Sequence, residues 1–198
     1  NTKMMRYKPM LAYPVSDKPI DYSKPTFIQP KLDGVRCVIQ YDVPKDQPHF
    51  SGVVTAYSRT GKEWKNINHI LKELKPFFIE HPNVVLDGEL YNHDLRDNFE
   101  KIISLVRKTK PTAEDRVEAS KKTQFHCYDI IDEELPFDQR IKFIYENLSF
   151  PSVHLVKTLN APTEHTAKFI HKANLKEGYE GSIVRTNDTY QCKRSHNL

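Results

Sequence analysis

The chain has 198 residues, 38% of them hydrophobic and 28% charged, with a formal net charge of +4. That length buries a real core as one sizeable domain or a lopsided pair. No apolar run reaches the length of a membrane span and no signal-peptide pattern is present, so the composition reads as a soluble globular protein. Cys37, Cys127 and Cys192 are far apart and odd in number, with no CxxC and no zinc-ligand spacing to the nine histidines. This excludes a disulfide scaffold or a zinc module and predicts three reduced thiols in a cytosolic-type compartment.

In chain order, Pro9 breaks helix and Met10 and Leu11 are predicted to face the core. Residues 13–25 hold three prolines and two aspartates and read as loop. Thr26 to Gln29 is extended, and Val35 to Tyr41 resumes as a strand rich in Val, Ile and Tyr. Between them stands Lys31-x-Asp33-Gly34-x-Arg36. Gly34 permits a turn or a close approach, so Lys31, Asp33 and Arg36 crowd one strand-turn-strand corner. A lysine beside a carboxylate and an arginine suits nucleotidyl chemistry: the amine attacks phosphorus, Arg36 holds phosphate or ribose oxygens, and Asp33 orients its neighbours.

A polar, proline-bearing link at 42–49 reads as a hairpin connection to a strand over 51–58, followed by the turn Ser58-Arg59-Thr60-Gly61-Lys62. Helical spacing of Ile67, Ile70, Leu71, Leu74 and Phe78 predicts a helix over 66–78 with Asn66 as N-cap and Pro76 weakening its end. Val84 to Tyr91 reads as a buried strand carrying Asp87-Gly88-Glu89. Period two puts both acids on one face, which is costly unless they meet cations or donors.

A helix over 96–108 is predicted from Phe99, Ile102, Ile103 and Val106, and the charged stretch 109–122 reads as a mobile surface insertion. Gln124 to Ile131 is a strand bearing Tyr128-Asp129, and a flat π-face such as Tyr128 suits stacking on a purine. Helices follow over 136–148, with Ile141, Ile144, Tyr145 and Leu148 inward, and over 163–175, with Ala167, Ile170 and Ala173 inward. A short strand at 153–156 lies between them. Glu180 then stands beside Gly181 at the mouth of a strand running to Arg185, where a carboxylate reaches a metal.

Four of these motifs resemble, in order, those of the covalent nucleotidyltransferases: ATP-dependent DNA ligases, RNA ligases and mRNA capping enzymes. They are Lys31-x-Asp33-Gly34-x-Arg36, Asp87-Gly88-Glu89, Tyr128-Asp129 and Glu180-Gly181-x-x-x-Arg185, with Ser58-Arg59-x-Gly61 and Pro9-Met-Leu-Ala12 as weaker supports. The likeness spans roughly residues 9–198. Glu-Gly rather than Asp-Gly at 180–181 favours a ligase over a capping enzyme, and Arg36 favours ATP over NAD.

The resemblance implies an α+β nucleotidyltransferase domain, with antiparallel sheets flanked by helices and the nucleotide between them. It implies Lys31 as the nucleophile forming a lysyl-AMP intermediate, and nucleotide contacts from Gln29, Arg36, Arg59, Glu89, Tyr128 and Arg194. Gln29 stands where many ligases have Glu. Asp33, Asp87, Asp129 and Arg185 are implied as supporting residues, and Glu89 and Glu180 as ligands of Mg²⁺ or Mn²⁺.

ATP and nicked double-stranded DNA are the implied partners of a monomer in cytoplasm or nucleus, neither secreted nor membrane-bound. A Lys-x-Lys pair and a C-terminal OB-fold domain are expected beyond Leu198 and are absent from this chain. An RNA ligase, a capping guanylyltransferase and a catalytically silent nucleic-acid-binding module are the alternatives. Whichever nucleotide is used, the Lys31 amine must react in its neutral form. A free lysine titrates near ~10.4, so most of it becomes neutral at pH 7 only through a change of about 4 kcal/mol.

Overall fold

The computed structural model describes residues 4–12 and 18–192, so Arg194 and part of the loop expected at 13–25 lie outside the described residues. Two sheets organise the chain. A three-stranded sheet has the order β7-β1-β8, and a five-stranded sheet has the order β3-β2-β4-β5-β6. Here β1 is Thr26–Lys31, β2 Val35–Asp42, β3 Val53–Tyr57, β4 Leu86–Tyr91, β5 Gln124–Ile130, β6 Val153–Leu155, β7 Leu159–Asn160 and β8 Gly181–Thr186. Every pairing is antiparallel except β5 with β6. The α+β architecture with helix-flanked sheets expected from the sequence is therefore present, with one parallel pair added.

The chain crosses from one sheet to the other at Leu32–Gly34, which leaves Lys31 as the last residue of β1 at the junction. Close packing fixes that crossing. A Cβ on Gly34 would meet the Leu90 carbonyl oxygen at 2.5 Å, so the glycine admits the neighbouring β4 strand rather than a ligand.

The five-stranded sheet divides its faces by alternation. Cys37, Ile39, Leu86, Leu90, Phe125 and Cys127 point into the main core with residues of α1 (Asn68–Glu80), α2 (Phe99–Val106) and α4 (Phe137–Asn147). Arg36 and Val38 oppose Glu89 and Asp87, respectively, on the other face. Helix α5 (Glu164–Lys176) packs on β1 and β8.

Several local expectations change. Helix α1 starts two residues late, because the Asn66 amide donates to the Leu105 and Asp115 carbonyls instead of capping. It also continues through Pro76 to Glu80, with Phe77 and Phe78 buried beyond the proline. The helix expected from Arg96 begins only at Phe99, after a 3-10 turn at His93–Asn98.

Residues 113–122 are not a mobile insertion but helix α3 (Ala113–Lys122). The Thr112 hydroxyl accepts from the Asp115 amide while the Asp115 carboxylate accepts from the Thr112 amide, so two otherwise open N-terminal donors are satisfied. On α4, Tyr145 is exposed and Arg140, at 1% exposure, takes the inward position.

Arg140 is the largest fully buried side chain among the described residues. Its Nε and Nη2 donate to the two Asp129 carboxylate oxygens at 2.7 and 3.1 Å, and Nη1 donates to the Leu135 and Asp188 carbonyls. A buried carboxylate that loses one of its cations costs about 3–5 kcal/mol. Arg140→Ala is therefore expected to lower unfolding free energy by about that amount in a urea melt. A loss under about 1 kcal/mol would show that the pair is not structural.

Candidate active site

The face of β2, β4 and β5 turned from the core carries two buried carboxylates, each clamped by arginine. Asp87 accepts from Arg36 Nε and Nη2, both at 2.8 Å, and from the Tyr190 hydroxyl at 2.7 Å. Arg36 Nη2 also donates to the Met10 carbonyl, and the Tyr190 oxygen accepts from the Met10 amide. Burial and then the Asp87 charge hold the Tyr190 phenol well above its ordinary range, so it stays a donor.

Asp129, fully buried, accepts from Arg140 and from Arg185 Nη1 at 2.9 Å. Arg185 Nε donates to Gln29 Oε1, and the Gln29 amide nitrogen donates to the Tyr128 carbonyl and the Thr158 hydroxyl. These pairs satisfy the cost anticipated for acids on an apolar strand.

A bulge brings the two halves of Tyr128-Asp129 into use. Across β4 and β5, Asp87 opposes Asp129 while Gly88 opposes Cys127, so Tyr128 is the extra residue. The approach is tight: a Cβ on Gly88 would lie 2.3 Å from the His126 carbonyl oxygen. The Tyr128 hydroxyl donates to Glu89 Oε1 at 3.1 Å, and its ring has the Arg36 and Arg185 guanidinium carbons 5.5 and 5.4 Å from its centroid.

A pocket of about 220 Å³ opens between the sheets, lined by Gln29, Lys31, Arg36, Glu89, Tyr128 and Arg185 together with apolar neighbours such as Met10 and Ile183. Lys31 stands half-exposed in its wall, its Nζ 3.4 Å from Glu180 Oε1. Burial outweighs the opposing Arg36 charge and Tyr128 hydrogen bond and pushes the Glu89 carboxyl up to about 7.

The fold thus gathers Gln29, Lys31, Arg36, Glu89, Tyr128 and Arg185 round one pocket, with Asp87 and Asp129 behind it. The Gln29 amide, implied as a nucleotide contact, lines the pocket and has three protein partners. Arg36 keeps only Nη1 without a protein partner among the described residues. Asp33 is exposed, with no side-chain bond or ion pair among the described residues. Arg59 is exposed in the turn after β3, on a cleft that shares Arg36 and Glu89 with the pocket.

Sequence reasoning missed Arg140 and Tyr190 as partners of the two acids. It also missed His93, whose Nδ1 accepts from the Tyr91 hydroxyl and whose Nε2 donates to the Glu177 carbonyl, while its ring stacks on Tyr179 at 4.1 Å. That contact steadies the turn ahead of Glu180. For Arg140 a signal existed: Phe137, Arg140, Ile141 and Ile144 share helical spacing, which puts a charge in an apolar stripe.

The model for the ATP-dependent DNA ligase domain matches residues 9–198. The chain belongs to the ATP-dependent DNA ligase family. DNA ligases of two African swine fever virus isolates, from a South African tick and a Namibian warthog, are each 30% identical over 175 residues. Those matches cover 80% of this chain and 36% of the viral enzymes, so the chain spans about a third of their length.

Among solved structures, a protein named Pmar-Lig_PreS3 superposes with a TM-score of 0.71 at 23% identity, over 98% of this chain and 46% of that one. The ATP-dependent DNA ligase of bacteriophage T7, solved with ATP, gives 0.67 at 17% identity, over 96% and 67%. At these identities the structures attest the fold. Among the described residues of this ligase-family chain, no helix is long and apolar enough to cross a membrane.

The raised Glu89 carboxyl predicts a pH-dependent stability. Between about 4.5 and about 7 the folded chain holds a proton there that the unfolded chain has released, so stability falls as pH rises through that window. Glu89→Gln removes this loss. The variant should gain stability relative to wild type from pH 5 to pH 8, by about 3 kcal/mol at most. Parallel urea melts across that range check the difference, and a gap independent of pH would contradict it.

Proposed function

We propose that this chain is the adenylate-forming domain of an ATP-dependent DNA ligase, with Lys31 as the nucleophile. The observation that carries the reading is Lys31 in the wall of an inter-sheet pocket whose other members are a partly buried carboxyl, an aromatic ring and two fixed guanidinium groups. Tyr128 and Ile183 give the purine a flat and an apolar contact, and Glu89 Oε1 and Oε2 are acceptors for ribose hydroxyls. Arg36 Nη1 remains for a phosphate or sugar oxygen.

Lys31 Nζ then forms a P–N bond to the α-phosphorus as the bond to pyrophosphate breaks. Glu180 Oε1, 3.4 Å from Nζ in the free protein, stands within reach to receive the amine proton. In the second step a 5′-phosphate oxygen at a DNA nick forms a P–O bond to the same phosphorus as the P–N bond breaks and Lys31 takes a proton back. In the third, the 3′-hydroxyl forms the phosphodiester as AMP leaves.

No group of three metal-ligating side chains occurs among the described residues. Magnesium or manganese nevertheless suits Glu89 and Glu180, because such ions take one or two carboxylates and complete their shell with substrate phosphates and water. The ion would supply charge stabilisation on the transferring phosphoryl group. An OB-fold domain and a Lys-x-Lys pair following Leu198 belong to the same reading.

The test is covalent labelling with α-³²P-ATP, with GTP in parallel. Wild type should be labelled by ATP and not by GTP, and Lys31→Ala should lose labelling at least about a thousandfold with its melting curve unchanged. A labelled Lys31→Ala protein would sink the assignment, and labelling by GTP alone would move it to a capping guanylyltransferase. Sealing of nicked DNA against nicked RNA separates the two kinds of ligase.

A further inference from the structure

We infer that His93 is a positioning residue: it holds the Glu180 carboxylate at Lys31 and so sets the rate of self-adenylation. This deepens the ligase reading and rests on it. Lys31 ends β1 and Glu180 directly precedes β8, so both belong to the three-stranded sheet. Arg36, Glu89 and Tyr128, the groups proposed to hold the nucleotide, belong to the five-stranded sheet. Attack on the α-phosphorus therefore needs the two sheets at a fixed separation. The Arg185–Asp129 and Gln29–Tyr128 bonds tie them at one place. His93 supplies a second tie, beside Glu180.

Glu180 has no anchor of its own. Among the described residues its carboxylate pairs with Lys31 alone, and both side chains are half-exposed. Its place is inherited from the backbone just ahead of it. Helix α5 fixes that backbone from one side: the Gly178 amide donates to the Leu175 carbonyl at 3.1 Å and the Tyr179 amide to the Asn174 carbonyl at 3.0 Å, with Gly178 at a φ of 94°. His93 fixes it from the other side, reaching out of the 3-10 turn after β4. Its ring stacks on Tyr179 with planes 22° apart, and its Nε2 donates to the Glu177 carbonyl at 2.8 Å.

The imidazole is itself oriented. A carbonyl oxygen only accepts, so Nε2 carries the hydrogen and Nδ1 is left to accept from the Tyr91 hydroxyl at 2.7 Å. Burial pushes the Tyr91 phenol up to about 12, so it stays a donor. Arg96 closes the back of the contact. Its Nη1 donates to the His93 carbonyl at 2.7 Å, and a Cβ on Gly178 would lie 2.6 Å from its Nε. Packing does not explain this grip, because Glu177 and Gly178 are exposed and Tyr179 is only partly buried. What the gripped turn leads into is Glu180. A displacement of about 1 Å in a reacting group costs up to about a hundredfold in rate, so a tie here acts on the chemistry.

The experiment measures single-turnover labelling by α-³²P-ATP across ATP concentrations for wild type, His93→Ala, His93→Gln, Glu180→Gln and the His93→Ala/Glu180→Gln double variant. His93→Ala should lower the rate at saturating ATP about tenfold or more and leave the ATP KM within about twofold, because Arg36, Glu89 and Tyr128 keep their own partners. His93→Gln, whose amide restores a donor to the Glu177 carbonyl, should return to within about threefold of wild type. With Glu180 already replaced, removing His93 should change the rate less than about twofold.

An equal loss in both Glu180 backgrounds, a raised KM at an unchanged saturating rate, or a glutamine variant no faster than the alanine variant would each overturn the inference. The KM-against-rate split and the glutamine rescue decide it even where Glu180→Gln is too slow to label. Should His93→Ala fail to fold, Tyr179→Ala removes the same stack with His93 in place and is held to the same split. A wild type that ATP does not label would overturn the ligase reading itself, and this inference with it.

Discussion

Two buried carboxylates, Asp87 and Asp129, hold the site together. Each lies at zero exposure on the strand face turned from the main core, where an unpaired charge would be expelled or neutralised. Each is instead matched by guanidinium groups in short hydrogen-bonded pairs, Arg36 for Asp87, and Arg140 with Arg185 for Asp129. Such pairs add little net stability over an apolar core, yet losing one partner is expensive, so they fix an arrangement more than they strengthen it. What they fix is remote in sequence. Met10, Arg36, Asp87 and Tyr190 form one network, and Gln29, Asp129, Arg140 and Arg185 form the other. The second network ties the three-stranded sheet to the five-stranded one and so sets the width of the pocket between them.

This arrangement gives the pocket its chemical character. Donors and the Tyr128 ring are oriented by bonds to the protein before any ligand arrives, so little reorganisation is left for the reaction. The exposed side of the pocket is different. Lys31 and Glu180 form a half-exposed pair at 3.4 Å, longer than the buried ones and weakened by water. Lys31 therefore sits at a contact that is cheaper to break than the buried pairs around it, while its surroundings are rigid.

The sequence made the strand-borne motifs legible because each is local. Lys31 to Arg36, Asp87 to Glu89, Tyr128 to Asp129 and Glu180 to Arg185 all fall on strands or at their ends, and period two assigned Asp87 and Glu89 to one face. Partner choice was not legible, because it depends on which strands adjoin. Nothing local in the sequence pairs Asp129 with Arg140 eleven residues on, or Asp87 with Tyr190. Nor does it say that Gln29 would be occupied by Arg185, Tyr128 and Thr158. The bulge at Tyr128 escaped for the same reason, since it is a property of the β4–β5 register. Helix α3 was legible in principle: Thr112-x-x-Asp115 after Pro111 is a helix-start signature that the charge of the segment obscured.

The most direct test of a preassembled pocket with a breakable contact at Lys31 is a crystal structure with a non-hydrolysable ATP analogue. The account predicts the purine against Tyr128 and the α-phosphate at Lys31, with the Lys31–Glu180 pair opened and the Arg36–Asp87 and Arg185–Asp129 pairs unchanged. A nucleotide bound away from Lys31, or Arg36 swung off Asp87 to reach it, would contradict the account.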